Sequence, residues 1–286
     1  LPTVLKENGY YNLFFMTHEG QYDNMNAFFR TNGYDEVFSQ ENYPADKVVN
    51  SFGVQDDFLY DYAIPVLNQR AATGQPFFAT LLSISNHPPY VIPPFFHPKT
   101  SEPETQIVEY ADWALRQFFE EARKQPWFDN TIFVLEGDHG KLVGDAECEL
   151  PESYNHIPLM IYSSRIQPEE KTTFGGQVDI QPTILGLLNI DYLQNNFGVD
   201  LLKEERPCMF YTADNMVVGR NDTLLYLYNY ETQQELTYDI GNGKLNAVPM
   251  DDSFLPLKEY SFSMLQSAEF LVKHGKTLNS IPFTQQ

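Results

Sequence analysis

The sequence predicts an α/β protein: a mainly parallel sheet with helices on both faces, followed by a small C-terminal antiparallel subdomain. Three observations lead there. Apolar runs without strict alternation, such as NLFFMT at 12–17 and TIFVL at 131–135, suit strands covered on both faces. Amphipathic stretches lie between such runs, as parallel crossovers require. After about residue 206 the pattern changes to short strands separated by turn residues. The expected division is 1–205 for the main domain and 206–286 for the subdomain.

The elements follow in order. The opening LPTVLKENGYYNLFFMT reads as the end of a helix, a turn at Asn8-Gly9, and a strand at 12–17. A chain that starts inside an element is expected to be part of something longer. A helix is expected over 56–72, opened by Asp56 and Asp57, whose charges suit the positive end of the helix dipole. FFATLLSIS at 77–85 reads as a strand, and the proline-rich 86–105 as a loop. The next helix, 106–125, carries Ile107, Ala111, Leu115, Phe118 and Ala122 on one face and stops before Pro126. Between Gly140 and Tyr154 there is no helical periodicity, so the strand at 158–163 is expected to return antiparallel to 131–135. A helix at 178–188 has Asp179 near its start and Pro182 in its first turn. Hairpins follow, with Arg220-Asn221-Asp222 as the first turn, and a helix at 256–273 closes the chain.

Composition narrows the function. The chain has 286 residues, 42% of them hydrophobic, enough for one large domain or a domain with an appendage. Eighteen basic residues against 39 acidic ones give a net charge of -21, the wrong sign for a nucleic-acid surface. Two cysteines are too few for a disulfide framework and lack metal-ligand spacing; Cys148 and Cys208 either pair or sit as buried thiols. No segment reaches the roughly 18 consecutive apolar residues of a membrane span, and Leu1 does not open a secretory leader.

Chemistry gathers at the strand ends. In open α/β sheets ligands bind outside the carboxyl ends of the strands. Three strands lead there into histidine-bearing loops: His18-Glu19, Asn86-His87 and Asp138-His139, which hold three of the six histidines. Asp138 and His139, bracketed by Gly137 and Gly140, combine a hard and a borderline ligand that suit zinc or manganese. As ordinary loop residues they would need no ion; the concentration of histidines at strand ends favours the site. An antiparallel return brings His156 to the edge of Asp138, or else His156 caps or packs before its strand. His97 and His274 read as solvated or capping histidines.

PWFDNTIFVLEGDHG, preceded by EYADWALRQFFEEARK and followed by YNHIPLMIY and QVDIQPTILGLL, resembles the sulfatase-like branch of the alkaline phosphatase superfamily. SISNHPPY and GYYNLFFMTHEGQYDNMNAFFRTNGYDEVF resemble the lipoteichoic acid synthase and phosphoglycerol transferase group within it. The resemblance spans about residues 1–200 in order and implies an alkaline-phosphatase-like fold. It implies that Asp138 and His139 ligate a catalytic divalent metal, and that His87 contacts the phosphate or its leaving oxygen. His156, His18 and Asp23 are then expected on the substrate side. The implied cofactor is manganese, zinc or magnesium, or calcium in a sulfatase. The implied reaction is phosphoryl transfer or phosphoester hydrolysis on a phosphorylated lipid or glycan outside the cytoplasm of a bacterium. The alternatives are a sulfatase acting on sulfated glycans and a binding relative without chemistry. Formylglycine-type sulfatases usually place Asn beside the metal Asp, whereas this chain has His139.

Two departures accompany the resemblance. The group's nucleophilic threonine and first metal carboxylate lie on earlier elements, so this chain is expected to be an incomplete, inactive catalytic domain, its parent anchored in a membrane through an upstream segment. The group also carries a Trp and an Arg in the loop after the MTHEG strand; here that loop reads GQYDNMNAFF, with Tyr22 and Asp23 in the neighbourhood.

Overall fold

Helix α1 (Pro2–Glu7) ends at Asn8, and Gly9, at φ +86°, turns the chain into β1 (Tyr11–Met16). All of β1 except Tyr11 is buried, which accounts for its unbroken apolar run. Successive side chains take opposite faces. Phe14 and Met16 join Tyr34 and Val37 in one cluster, where Phe29 of α2 (Met25–Thr31) stacks 3.8 Å from Phe14. Phe15 instead stacks at 4.7 Å on Phe38 of β2 (Glu36–Phe38), whose ring meets Tyr62 of α3 (Asp56–Ala71). Helices thus cover both faces of this strand. β3 (Phe77–Leu82) completes a parallel sheet in the order β2-β1-β3, with Phe14 opposite Val37 on one side and Thr80 on the other.

The structure, a computed structural model, describes residues 1–142, 145–172, 175–213 and 215–277. It has two units: Leu1–Ile132 with Ser163–Ile166, and Phe133–Tyr162 with the chain from Gln167 onward. In the first unit α4 (Pro103–Ala122) packs on α3, where Tyr60 meets Phe118 at 5.3 Å and the Tyr110 hydroxyl donates to Asp57 at 2.5 Å. Helix α4 starts earlier than its apolar pattern suggests and stops before Lys124, well short of Pro126. Its buried stripe is Ile107, Tyr110, Ala114, Phe118 and Ala122; Ala111 and Leu115 are only half-buried. Tyr110 was hidden from the pattern because its polar hydroxyl masks a ring that is fully enclosed.

In the second unit β4 (Phe133–Glu136) and β5 (Leu159–Tyr162) form a two-stranded antiparallel sheet, with Glu136 opposite Leu159. The inferred antiparallel return is therefore present. Helix α5 (Ile180–Leu187) follows a single 3₁₀ turn at Gln177–Asp179. The hairpins become a five-stranded antiparallel sheet: β6 (Met209–Ala213), β7 (Met216–Arg220), β8 (Leu224–Asn229), β9 (Gln234–Asp239) and β10 (Asn246–Ala247), in order β10-β9-β8-β7-β6. The turn expected to be first, at Arg220-Asn221-Asp222, joins β7 to β8 and follows the β6–β7 hairpin; Asn221 Oδ1 accepts the amides of Thr223 and Leu224. Met216, Val218, Leu225, Leu227, Tyr238 and Ile240 line one face with Leu150. Tyr226 on the other face packs with Phe254 and with Leu257 of α6 (Leu255–Lys273). Cys148 and Cys208 are unpaired, half-buried thiols. Among the described residues no helix is long and apolar enough to cross a membrane.

Candidate functional site

The first unit presents His18 and His87 beyond the ends of adjacent parallel strands, β1 and β3. His18 is 3% exposed; its Nδ1 lies 3.0 Å from the Glu19 carbonyl and its ring 4.9 Å from that of Tyr22. Val54 donates its N–H to the Thr17 carbonyl at 3.1 Å. Gly53, at φ +87°, comes so close that a Cβ would sit 1.8 Å from the same oxygen. Only glycine fits there. The clamp sets Phe52 between the two loops, 6.2 Å from the Tyr22 ring and 4.2 Å from the His87 ring. A series of rings (His18, Tyr22, Phe52, His87) therefore links the two strand ends.

His87 is exposed, and its Nδ1 stands 2.7 Å from the Pro88 carbonyl. In the neutral ring that contact assigns the proton to Nδ1 and leaves a lone pair on Nε2. Beside it lies a small, open pocket lined by Val49, Phe52, Val54, Ile84 and Val91 among others. Asp23 is exposed and, with Asn24, holds a left-handed backbone at φ 47° and 58°.

The second unit presents Asp138 and His139 just past β4. Both are exposed, and Oδ2 of Asp138 lies 3.9 Å from Nε2 of His139. Asp138 Oδ1 accepts the His139 N–H at 2.9 Å, and His139 Nδ1 faces the Gly140 carbonyl at 2.7 Å. The same logic leaves Nε2 of His139 as the free donor atom, the arrangement in which a metal-ligating histidine is oriented through its other nitrogen. Metal–ligand bonds of about 2.0–2.2 Å let two donors 3.9 Å apart meet one divalent ion. The pair suits such an ion in donor chemistry, and its spacing is wider than the roughly 3.4 Å that two ligands span in a tetrahedral site. Among the described residues no third His, Cys, Asp or Glu completes a metal-holding group with it.

Residues 149–152, between Asp138 and His156, are fastened to the five-stranded sheet. Leu150 is buried in its core, Glu149 accepts from the Tyr238 hydroxyl, and Glu152 pairs with Arg220 at 2.5 Å. The Gly140 amide donates to the Tyr154 carbonyl at 2.9 Å, so the exposed His156 returns to the same end as Asp138. The described residues do not gather His156 into a cluster with Asp138 and His139. His274, expected to be solvated or capping, caps: its Nδ1 meets the Phe270 carbonyl at 2.8 Å at the end of α6.

Two residues of this neighbourhood escaped the sequence. Gln177 donates from Nε2 to the carbonyls of Gly137 and Asp138, at 3.2 and 2.8 Å, and so fixes the backbone of the metal-ligand candidate. An isolated glutamine carries no signal of such a role. Asp56, by its sequence position only a charge at a helix start, is almost fully buried and bonded to the loop that precedes His87.

Solved structures share this fold. A protein in the alkaline phosphatase superfamily from Vibrio parahaemolyticus matches 94% of the chain and 67% of its own, with 28% identity and a TM-score of 0.82. A lipoteichoic acid synthase from Listeria monocytogenes matches in fold over 95% of this chain and 72% of its own, with a TM-score of 0.80 at 22% identity. The chain belongs to the sulfatase family, whose model matches residues 1–190. Lipoteichoic acid synthase 1 of Bacillus subtilis is 26% identical over 267 residues, 85% of this chain and 40% of that protein. Phosphoglycerol transferase I of Xanthomonas campestris is 26% identical over 77% of this chain and 33% of its own length. The chain thus spans less than half the length of these two relatives.

Proposed function

We propose that this chain supplies Asp138 and His139 as metal ligands, and His87 as the phosphate-side histidine, of a phosphoglycerol-type transferase or phosphoester hydrolase. The observation that carries the reading is the geometry of His139: Nδ1 is engaged by Gly140, and Nε2 is left 3.9 Å from Asp138 Oδ2. Manganese, zinc or magnesium suits the donor pair. When bound, such an ion stabilises charge on the transferring phosphoryl oxygens and activates a hydroxyl nucleophile. His87, with Nδ1–H held by Pro88, takes a proton from water at Nε2 and gives it to the leaving alkoxide. His18 and Asp23 belong to the substrate side of the first unit, and His156 to that of the second. Asp23 and Tyr22 replace the Trp and Arg of the phosphoglycerol transferases, so the group bound beside the phosphate differs here.

The substrate class is a phosphorylated lipid or glycan outside the bacterial cytoplasm, supported by the relatives named above. Residues 1–205 form the catalytic part and 206–286 the subdomain. The nucleophile, a further carboxylate ligand and a membrane anchor belong to a segment upstream of these residues; the greater length of the relatives leaves room for such a segment. The alternative, a calcium-dependent sulfatase acting on sulfated glycans, is favoured by the family model alone. Assay of the full-length gene product on an aryl phosphodiester and an aryl sulfate, with manganese and with calcium, separates the two. Turnover of the phosphodiester is expected; turnover of the sulfate alone would establish the alternative, and turnover of neither would leave a binding protein.

A further inference from the structure

Asp56, the first residue of α3, is 1% exposed. A carboxylate so buried needs hydrogen-bond donors or a cation. Among the described residues no Lys or Arg pairs with it. Instead its Oδ1 accepts the backbone N–H groups of Ile84 and Ser85, at 2.9 and 3.2 Å. Ile84 in turn accepts the His87 N–H at its carbonyl, 2.8 Å away, closing the turn on which His87 sits.

The residues before Asp56 hold the rest of the same loop. Asn50 donates to the Pro89 carbonyl at 3.4 Å, and Gln55 donates to the Val91 carbonyl at 2.7 Å. The Phe52 ring packs 4.2 Å from the His87 ring. Residues 50–56 therefore form a cradle for 84–91, and Asp56 is its one acidic side chain, almost fully buried. Burial pushes the Asp56 carboxyl up from its ordinary value, against the backbone N–H groups that draw it down. An uncharged residue would avoid that burial cost at a plain helix start, where an N-terminal carboxylate normally stays in water.

We propose that Asp56 is a positioning residue for His87: by holding the amides of Ile84 and Ser85 it fixes the turn that places the imidazole against the reacting phosphate. This rests on the reading of His87 given above. Sub-ångström misplacement of a proton-transfer group lowers turnover without weakening ground-state binding much.

The test has two arms. In the 286-residue protein, amide hydrogen exchange at Ile84 and Ser85 is followed by NMR in native, Asp56→Asn and Asp56→Ala forms. Alanine should speed exchange at both amides by about tenfold or more, while asparagine, which keeps an acceptor oxygen, should stay within about threefold. In the full-length gene product on an aryl phosphodiester, Asp56→Ala should lower kcat by about tenfold to a hundredfold with KM little changed, and asparagine should restore most of it. In a His87→Ala background Asp56→Ala should have no further effect on kcat. Unchanged exchange, equal losses for Asn and Ala, or an undiminished loss in the His87→Ala background would overturn the proposal. If His87→Ala leaves turnover intact, the catalytic reading of His87 fails, and with it the catalytic meaning of Asp56; the exchange arm still reports whether the carboxylate holds the turn. Should the alanine form not fold, Asp56→Glu takes its place: its displaced carboxylate should cost at least about tenfold in kcat, and a native-like kcat would overturn the proposal.

Discussion

Oδ2 of Asp138 and Nε2 of His139 stand 3.9 Å apart at the end of one strand, each on a side chain whose other polar atom is already engaged by local backbone. Adjacent residues normally diverge, and here the two backbone contacts turn both free donors toward one another.

Two protein donors make an incomplete four-coordinate site, with water filling the rest. The 286-residue protein is therefore expected to bind manganese or zinc weakly, and His139→Ala or Asp138→Ala to weaken it by a further tenfold or more, on the order of a lost ligand or orienting contact. Isothermal titration with each metal checks this. Stoichiometric, chelator-resistant metal would mean that no further ligand is needed.

Gly140 leaves no room for a side chain: a Cβ there would lie 2.0 Å from the Ser153 carbonyl. Gly140→Ala should cost about 1–3 kcal/mol through forced backbone movement and reduce metal binding, since the Gly140 carbonyl orients His139. Urea unfolding and metal titration of the same variant read both effects. Native-like values in both would show that the loop yields without strain.

Arg206 and Asp179 form a buried ion pair, 6% and 0% exposed at the side chain. Asp179 also accepts the amides of Gly176 and Val199, both at 2.8 Å, and Arg206 donates to the Phe197 carbonyl at 2.7 Å. The network fixes the turn that carries Gln177. Arg206→Ala strands the carboxylate and should destabilise the second unit by about 3–5 kcal/mol. A loss below about 1 kcal/mol in urea unfolding would place the pair effectively in solvent.

Burial raises the Asp56 carboxyl above its ordinary 3.8. The folded state then holds this proton more tightly than the unfolded chain, so the contribution is complete below pH 3.8 and is lost as pH rises through the folded value. Asp56→Asn has no such loss. The melting temperature of Asp56→Asn minus that of the native protein should therefore become more positive as pH rises from about 4 to about 7. A difference that does not change with pH would mean that Asp56 titrates normally.

Much of this architecture was legible. β1 betrayed itself because strands covered on both faces need apolar residues at every position, and Phe14 and Phe15 serve opposite faces. The antiparallel pairing of β4 and β5 was readable from the missing helix between them. β2 and α2 went unseen: three residues of strand and seven of helix carry too little periodicity, and their order comes from Phe29 packing on Phe14 and Phe38 on Phe15, at a distance in sequence. The histidines at the strand ends stood out because strand ends are where side chains reach a ligand. Gln177 and Asp56 did not, since each acts through backbone groups dozens of residues away.

The most direct measurement is metal-dependent hydrolysis of an aryl phosphodiester by three proteins: the full-length gene product, its His139→Ala form, and the 286-residue chain. The full-length protein should turn over with manganese or zinc and lose activity by about a hundredfold or more on His139→Ala, and the 286-residue chain should show none. Undiminished turnover by His139→Ala would contradict the metal-ligand role at the centre of this account, and metal-dependent turnover by the 286-residue chain would show that it contains its own nucleophile.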